Sequence, residues 1–377
     1  MKKLLLIGGG HAHVEVLRQF GLRRPDGVEI TLVSPDRHTP YSGMLPGLVA
    51  GHYTFPQCHI DLQPLADYAG ARLILANAQS LDAARRSVAL SDNSALQYDI
   101  TSIDVGSTPI VNDIEGAAEH AIMVKPVAQF LVQWKALLER VNAGSAQRIA
   151  VVGGGAAGVE MLLAMQHFLS HQSPRREIDY CLVTDAPQLL AQHAPGVRAV
   201  LSRSLARKNV TVRCALRVKR VEANALLAFD ANNNQQRIAA NAMIWITGAA
   251  PAAWLAHSGL ALNDNKFINI NNYLQSTTHA DVFAAGDCAT IAGAAYPKSG
   301  VYAVRQGPVL AHNLRAALLG GALQTYIPQP RALALISTGE QHAIASWGPL
   351  SFHGNWVWRW KDSIDQGFMA KYRNFSA

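Results

Sequence analysis

Two glycine runs have the spacing that phosphate binding needs. The first reads Gly8-x-Gly10-x-x-His13 and the second Gly153-x-Gly155-x-x-Gly158. Glycines so placed let a backbone approach a pyrophosphate closely, and a helix starting at the loop adds unpaired N–H groups and the positive end of its dipole. Taken alone, either motif would be weak. Here each follows an apolar run and precedes a helical pattern, so Gly8, Gly10, Ala12 and His13 form one candidate phosphate site and Gly153, Gly155 and Gly158 another.

The two loops differ. The second is complete, and Asp185 follows the next apolar run. A carboxylate there accepts hydrogen bonds from both ribose hydroxyls and repels a 2′-phosphate, so NADH is favoured over NADPH. Arg175 and Arg176 precede that run and are poorly placed to clamp such a phosphate. In the first loop His13 replaces the third glycine, which predicts a wider helix–strand crossing. No acidic residue closes its second strand directly, so Val33-Ser34-Pro35-Asp36 offers Ser34 or Asp36 to a ribose. Glu160 is either a solvated helix charge or a group facing the nicotinamide side.

These loops need strands and helices to hold them. Leu4–Ile7, a helix over Ala12–Phe20 and a β-branched run over Val28–Val33 make one strand–loop–helix–strand unit. Arg148–Val152, Ala156–Leu169 and Ile178–Thr184 make a second. Two such units predict two doubly wound α/β domains, each binding its ligand at the carboxyl ends of its strands. Asn232–Gln236 reads as a hairpin tip.

The 377-residue chain is long enough for two to three domains. Its composition, 49% hydrophobic and 16% charged, excludes a disordered chain. A net charge of +7 is spread without a basic tract, favouring anionic ligands or an anionic membrane surface over nucleic acid. Lys2–Ile7 is too short for a signal peptide, and no stretch approaches the roughly 20 apolar residues of a membrane-spanning helix. The 14 histidines are not expected to form a metal site, and no G-x-S-x-G nucleophile elbow is present. The four cysteines (Cys58, Cys181, Cys214 and Cys288) form no C-x-x-C, which suits a reduced, cytoplasmic compartment.

Further segments carry a family resemblance. Tyr98–Pro109 (YDITSIDVGSTP), Ala242–Pro251 (AMIWITGAAP) and Thr278–Ala289 (THADVFAAGDCA) follow the glycine loops in the order seen in pyridine nucleotide–disulfide oxidoreductases. The resemblance covers roughly the first 320 residues. It implies two Rossmann-like three-layer domains, an FAD domain interrupted by an NAD domain, with a small C-terminal α+β region. The expected divisions are residues 1–110 and 251–325 for FAD, 111–250 for NAD(H) and 326–377 for a capping or interface region. It also implies that Gly106 and Ser107 lie at the turn closing the first FAD half, that Gly248 does the same after the NAD domain, and that Gly286 and Asp287 meet the flavin ribitol and phosphate.

Within that superfamily the chain looks closer to type II NADH dehydrogenases and sulfide:quinone oxidoreductases. Asp36–Gly51, with Asp36, Arg37 and Pro46, resembles their flavin wrap; Pro297–Leu314, with Gly300 and Val301, resembles the helix beneath the flavin. That helix is expected to start near Ser299 and aim its positive end at the flavin's pyrimidine edge. Lys298 beside it is the catalytic candidate, easing hydride acceptance by its charge, with a solvated cap as the bland alternative. The GGGHAH start and the W-V-W-R-W-K-D-S-I-D ending are most similar to a branch with some members fused to a selenide water dikinase, a domain this chain does not contain.

The implied activity is transfer of hydride from NADH to FAD, with electrons passing to a quinone or other diffusible acceptor. Without a paired redox thiol, dithiol–disulfide chemistry is not expected. Cys181 and Cys214 read as core thiols, while Cys58 and Cys288 stand near enough to the flavin motifs to keep a sulfur role open. A sulfur or selenium redox enzyme and a low-turnover flavin-binding partner protein are the alternatives. Leu333–Ser337 and His342–Trp347 predict a hairpin around Gly339. The aromatic, basic tail after it could meet a membrane, a second copy in a homodimer, or its own core. A peripheral position on the inner face of the cytoplasmic membrane is the alternative to a free cytoplasmic one.

Overall fold

The computed structural model describes residues 1–111, 114–294, 296–329, 331–373 and 375. Two five-stranded parallel sheets organise them, each with its glycine-loop strand in the middle. The first runs in the order Val282–Ala284, Ile100–Ile103, Lys2–Ile7, Val28–Ser34, Ala71–Leu75. The second runs Ala121–Met123, Ala242–Trp245, Arg148–Val152, Asp179–Val183, Val210–Arg213. Leu4 through Ile7 are all buried, as are Ile149 through Val152. A parallel strand covered on both faces needs such an uninterrupted apolar run, which is why these segments do not alternate.

Both halves follow one plan. Each continues its central strand through a glycine loop into a helix, His11–Leu22 in the first and Ala156–Gln172 in the second. Each also carries a three-stranded antiparallel meander, spanning Ala78–Gln97 and Arg217–Ala239 respectively. The Asn-rich segment turns the last hairpin of the second meander between Phe229 and Gln235. The architecture is thus α/β with Rossmann-like cores. A two-stranded ribbon, Thr108–Pro109 against Ala249–Ala250, joins them where the sequence places its two closing turns.

The strand Val282–Ala284 completes the first sheet beside Ile100–Ile103 and delivers the turn Gly286–Cys288 to the carboxyl ends of its strands. The long helix Gly300–Leu319, N-capped by Ser299 as expected, then packs along His11–Leu22.

The C-terminal region is a three-stranded antiparallel sheet, Ala334–Ser337, Ala343–Trp347 and Leu350–Gly354, followed by the helix Asn355–Ala370. The third strand was not foreseen from the sequence. Helical geometry sorts the tail's aromatics by face. Val357 and Trp358 pack inward against the sheet, while Trp356, Trp360 and Ile364, spaced four apart, remain 55%, 41% and 44% exposed. Among the described residues no helix is long and apolar enough to cross a membrane.

Candidate functional site

The first glycine loop is built around a residue the motif does not contain. Asp104, at the end of strand Ile100–Ile103, is 2% exposed, and its Oδ2 accepts hydrogen bonds from the backbone N–H groups of Ala12 (2.8 Å) and His13 (3.2 Å). A Cβ on Gly10 would lie 2.2 Å from the Asp104 carboxyl carbon, and one on Gly286 would lie 2.5 Å from Oδ1. The first glycine loop and the Gly286–Asp287 turn therefore converge on one buried carboxyl. Burial pushes Asp104 up to about 7, against the pull of its two backbone donors. The one acidic letter at the end of an otherwise buried strand was the signal available in the sequence.

His13 shows how the loop dispenses with its third glycine. The ring is fully buried, with Nδ1 2.6 Å from the Gly8 carbonyl and Nε2 2.8 Å from Ser102 Oγ. Nδ1 must donate to the carbonyl, so Nε2 accepts from the serine and the ring is neutral; burial holds it down at about 4. His13 is a structural wedge. In the second loop a Cβ at Gly158 would sit 1.9 Å from the Gly153 carbonyl oxygen, so glycine's missing side chain is what brings helix and loop together.

Asp287 lies beside Ser107, whose Oγ donates to it at 3.2 Å, and Lys125 bridges the two at 3.0 Å to Ser107 and 3.2 Å to Asp287. Sequence reading missed Lys125. It also missed Gln306 on the long helix, which is fully buried and accepts from the Gly286 N–H at 2.7 Å while its own Nε2 has no hydrogen-bond partner among the described residues. His11 Nε2 is likewise buried without a partner among the described residues, and its ring lies edge-on to Tyr41 with centroids 5.5 Å apart. Two unspent polar atoms beside a glycine cradle fit a polar ligand laid across the end of the first sheet.

The remaining first-half candidates spread around that cradle. Ser34 is 4% exposed and donates to the Asp36 carbonyl, leaving Asp36 itself on the surface. Arg37 is committed to a two-toothed pair with Asp61 at 2.9 and 2.7 Å. Pro46 is buried in the short helix Leu45–Val49, and Gly300 starts the long helix beside Ser42, with Val301 half-exposed next to it. Gly106 takes a left-handed φ of 68°. Lys298 bonds the Ala289 carbonyl and, at 2.7 Å, Thr290 Oγ1, and it lies 4.2 Å from the Phe267 ring centroid. Burial lowers it to about 8. It is not a solvated cap: the ammonium is half-buried among these partners.

The second loop is open. No side chain caps the helix at Gly155, and a Cβ there would meet nothing within 4 Å among the described residues. Asp185 stands 61% exposed beyond its strand, and Arg217, at the start of the meander, pairs with it at 3.6 Å. Gly248 adjoins Ile110 at the ribbon between the sheets. Glu160 is not a solvated charge: it is enclosed, its Oε1 accepts from the Ser337 N–H at 2.8 Å, and burial raises its pKa despite Lys361 nearby. Lys361 in turn pairs with Asp365 at 2.6 Å and donates to the Gly43 carbonyl, so the terminal helix closes over the segment around Tyr41–Tyr53.

All four cysteines are free. Burial raises both Cys58 and Cys288 to about 12, which suppresses thiolate chemistry at the two positions left open for sulfur. Cys181, on strand Asp179–Val183, and Cys214, one residue past strand Val210–Arg213, are half-buried, each packed against a hydrophobic cluster rather than fully inside the core as expected.

Comparison with known proteins agrees with this geometry. The NADH dehydrogenase-like protein YutJ of Bacillus subtilis is 22% identical over 338 residues, covering 87% of each chain. The sulfide:quinone oxidoreductase of Aquifex aeolicus superposes with a TM-score of 0.84 at 21% identity, covering 100% of this chain and 92% of that one. The NDH2 of Plasmodium falciparum, solved with NADH, gives 0.80 at 15% identity with full coverage of both chains. Residues 2–310 match the family described as pyridine nucleotide-disulphide oxidoreductase. With two glycine loops on two like sheets and a return strand that brings Asp287 to the first, the chain belongs to the pyridine nucleotide-disulphide oxidoreductase family.

Proposed function

We propose that this chain is an FAD-dependent NADH oxidoreductase that passes electrons to a quinone or another diffusible acceptor without a redox disulfide. The observation that carries the reading is the strand Val282–Ala284, which seats Gly286 and Asp287 at the end of the first sheet, opposite a second sheet with an open glycine loop. In this reading the first unit (residues 1–110 with 251–325) holds FAD and the second (111–250) holds the nicotinamide dinucleotide. When bound, the flavin would supply the chemistry: acceptance of hydride and onward electron transfer.

The chain's own residues bind, orient and bias. Asp287, held by Lys125 and Ser107, is suited to accept hydrogen bonds from ribitol hydroxyls. The N-terminus of Gly300–Leu319 and the field of Lys298 favour negative charge at the flavin. Asp185 receives the adenosine ribose of NADH, and Glu160 is tied to the C-terminal region through the Ser337 N–H. Relatives whose names include quinone oxidoreduction support a quinone as acceptor.

The exposed stripe Trp356, Trp360 and Ile364, next to Trp347, Leu350 and Phe352 on the adjoining sheet, supports a peripheral contact with an anionic lipid surface where a quinone would be reached. Vesicle sedimentation tests this, and size-exclusion mass measurement separates it from a homodimer built on the same stripe.

Purified protein should carry FAD and bleach on anaerobic addition of NADH. Protein that neither contains nor takes up FAD, or whose flavin stays oxidised with NADH, would overturn the reading. An acceptor screen comparing ubiquinone, menaquinone, sulfide and selenium compounds then identifies the oxidant and tests the sulfur and selenium alternative.

A further inference from the structure

We propose that Asp104 is a positioning residue for the flavin dinucleotide, capping the first loop helix while the site is empty and taking up one proton when the pyrophosphate arrives. The inference rests on the reading that the first loop binds FAD. The first loop holds a conflict. A glycine loop at a helix N-terminus attracts phosphate because its N–H groups are unpaired. Here the N–H groups of Ala12 and His13 already bond the Asp104 carboxylate, at 2.8 and 3.2 Å.

The carboxylate cannot swing clear or hide in solvent. It is 2% exposed and wedged so tightly that a Cβ on Gly10 or Gly286 would collide with it. A doubly charged pyrophosphate entering this cradle would meet Asp104 and, close by, Asp287. The neighbouring groups do not neutralise Asp104. Lys125 is bonded to Asp287 and Ser107, and both ring nitrogens of His13 are engaged by Gly8 and Ser102. From the long helix comes the uncharged Gln306, and from the turn the thiol of Cys288, which donates to the Ala285 carbonyl at 3.1 Å.

A proton resolves the conflict. A protonated carboxyl keeps one oxygen to accept from the helix N–H groups and gains an O–H that can donate to a phosphate oxygen. Burial places the Asp104 carboxyl at about 7, so the proton is available near neutrality. Of the other groups facing the cradle, His11 and His13 are held at about 4 and Cys288 at about 12, outside the working range. Lys298, at about 8, lies inside it and needs a control.

The experiment is FAD binding to the deflavinated full chain, followed by flavin fluorescence from about pH 5.5 to 8.5. Binding favours the protonated form, so Kd should be flat on the acid side and rise about tenfold per pH unit above the Asp104 pKa. Calorimetry at pH 8 in two buffers of different ionisation heat should count close to one proton taken up. Asp104→Asn should keep the acid-side Kd and lose the slope, whereas Lys298→Met should keep the slope. A flat wild-type Kd with no buffer-dependent heat overturns the proposal and makes Asp104 a permanent ionised cap. The wild-type proton count decides the matter even if Asp104→Asn does not fold. Failure of FAD to bind at every pH would sink the flavin reading itself, a different result.

Discussion

The two glycine loops share a fold and differ in nearly every local choice. In the first, the third position is a buried histidine that bonds the Gly8 carbonyl; in the second, it is a glycine whose hydrogen points at the matching carbonyl of Gly153. In the first, the helix N–H groups are covered by Asp104; in the second, the described residues leave them uncapped. The strand-end hydroxyls match, Ser34 at 4% and Thr184 at 5% exposed, but the next position is a proline in the first unit and in the second Asp185, whose side chain is 61% exposed. A closed, buried cradle suits a cofactor that stays. An open loop with an exposed carboxylate beside it suits one that exchanges at every turnover. On the proposed function, one backbone plan serves two residence times, and the difference lies in the side chains around each loop.

Substitution can break that contrast most severely at the second loop. Gly158→Val puts a branched side chain against the Gly153 carbonyl and should slow flavin reduction by NADH on the order of 100-fold, nearly 3 kcal/mol, with FAD content unchanged. Stopped-flow bleaching beside a flavin assay checks it, and near-normal reduction would show that the dinucleotide does not use this loop. The mirror change, His13→Ala, removes two buried hydrogen bonds and leaves a void. It should cost about 2–4 kcal/mol of stability, seen as a lower urea midpoint in the apoprotein, with NADH docking spared.

Asp104→Asn sharpens the comparison from the other side. Because the folded pKa of about 7 lies above the ordinary 3.8, the fold holds a proton that the unfolded chain has released between those values. Apoprotein stability should thus fall as pH rises through that window, and the asparagine variant should flatten the fall; thermal melts from about pH 4 to 8 measure it. An equally steep fall in the variant would assign the proton to another group.

Smaller effects are expected at the nucleotide's far end. Asp185→Ala should narrow the NADH-over-NADPH preference roughly tenfold or less, and Arg217→Ala should widen it a few-fold by removing the cation that would welcome a 2′-phosphate. An NADH/NADPH ratio unmoved by either change would place the ribose elsewhere. The smallest effect belongs to the thiols: Cys58→Ser and Cys288→Ser should leave NADH-driven acceptor reduction within about twofold, since both thiols are buried and held protonated. Loss of turnover in either would revive the sulfur reading.

Much of the fold was legible in the sequence because its signals are local. Apolar runs of strand length, glycine spacing and helical periodicity are set by residues a few positions apart, so both loop units could be read directly, while the start of the long helix near Ser299 came with the family resemblance. The tail was legible only in part. Its hairpin appears where Gly339 predicts it, but alternating tryptophans say nothing about which face a sheet will cover, and packing sent Trp358 inward and Trp356 outward.

By itself, then, the sequence determined the two α/β units, their order and the residues of both loops. Only tertiary structure decided what meets those loops, because the deciding contacts join residues that no local pattern links. Asp104 reaches back 92 positions to cap the first helix, Lys125 forward 162 to Asp287, and Glu160 forward 177 to Ser337. Burial then changed what those groups are: a carboxyl raised toward neutrality, a histidine kept neutral, and a glutamate that looked as free to be solvated as buried. Residue type and spacing name a possible chemistry. Which charges survive to perform it depends on how much water the fold removes and which partners it supplies.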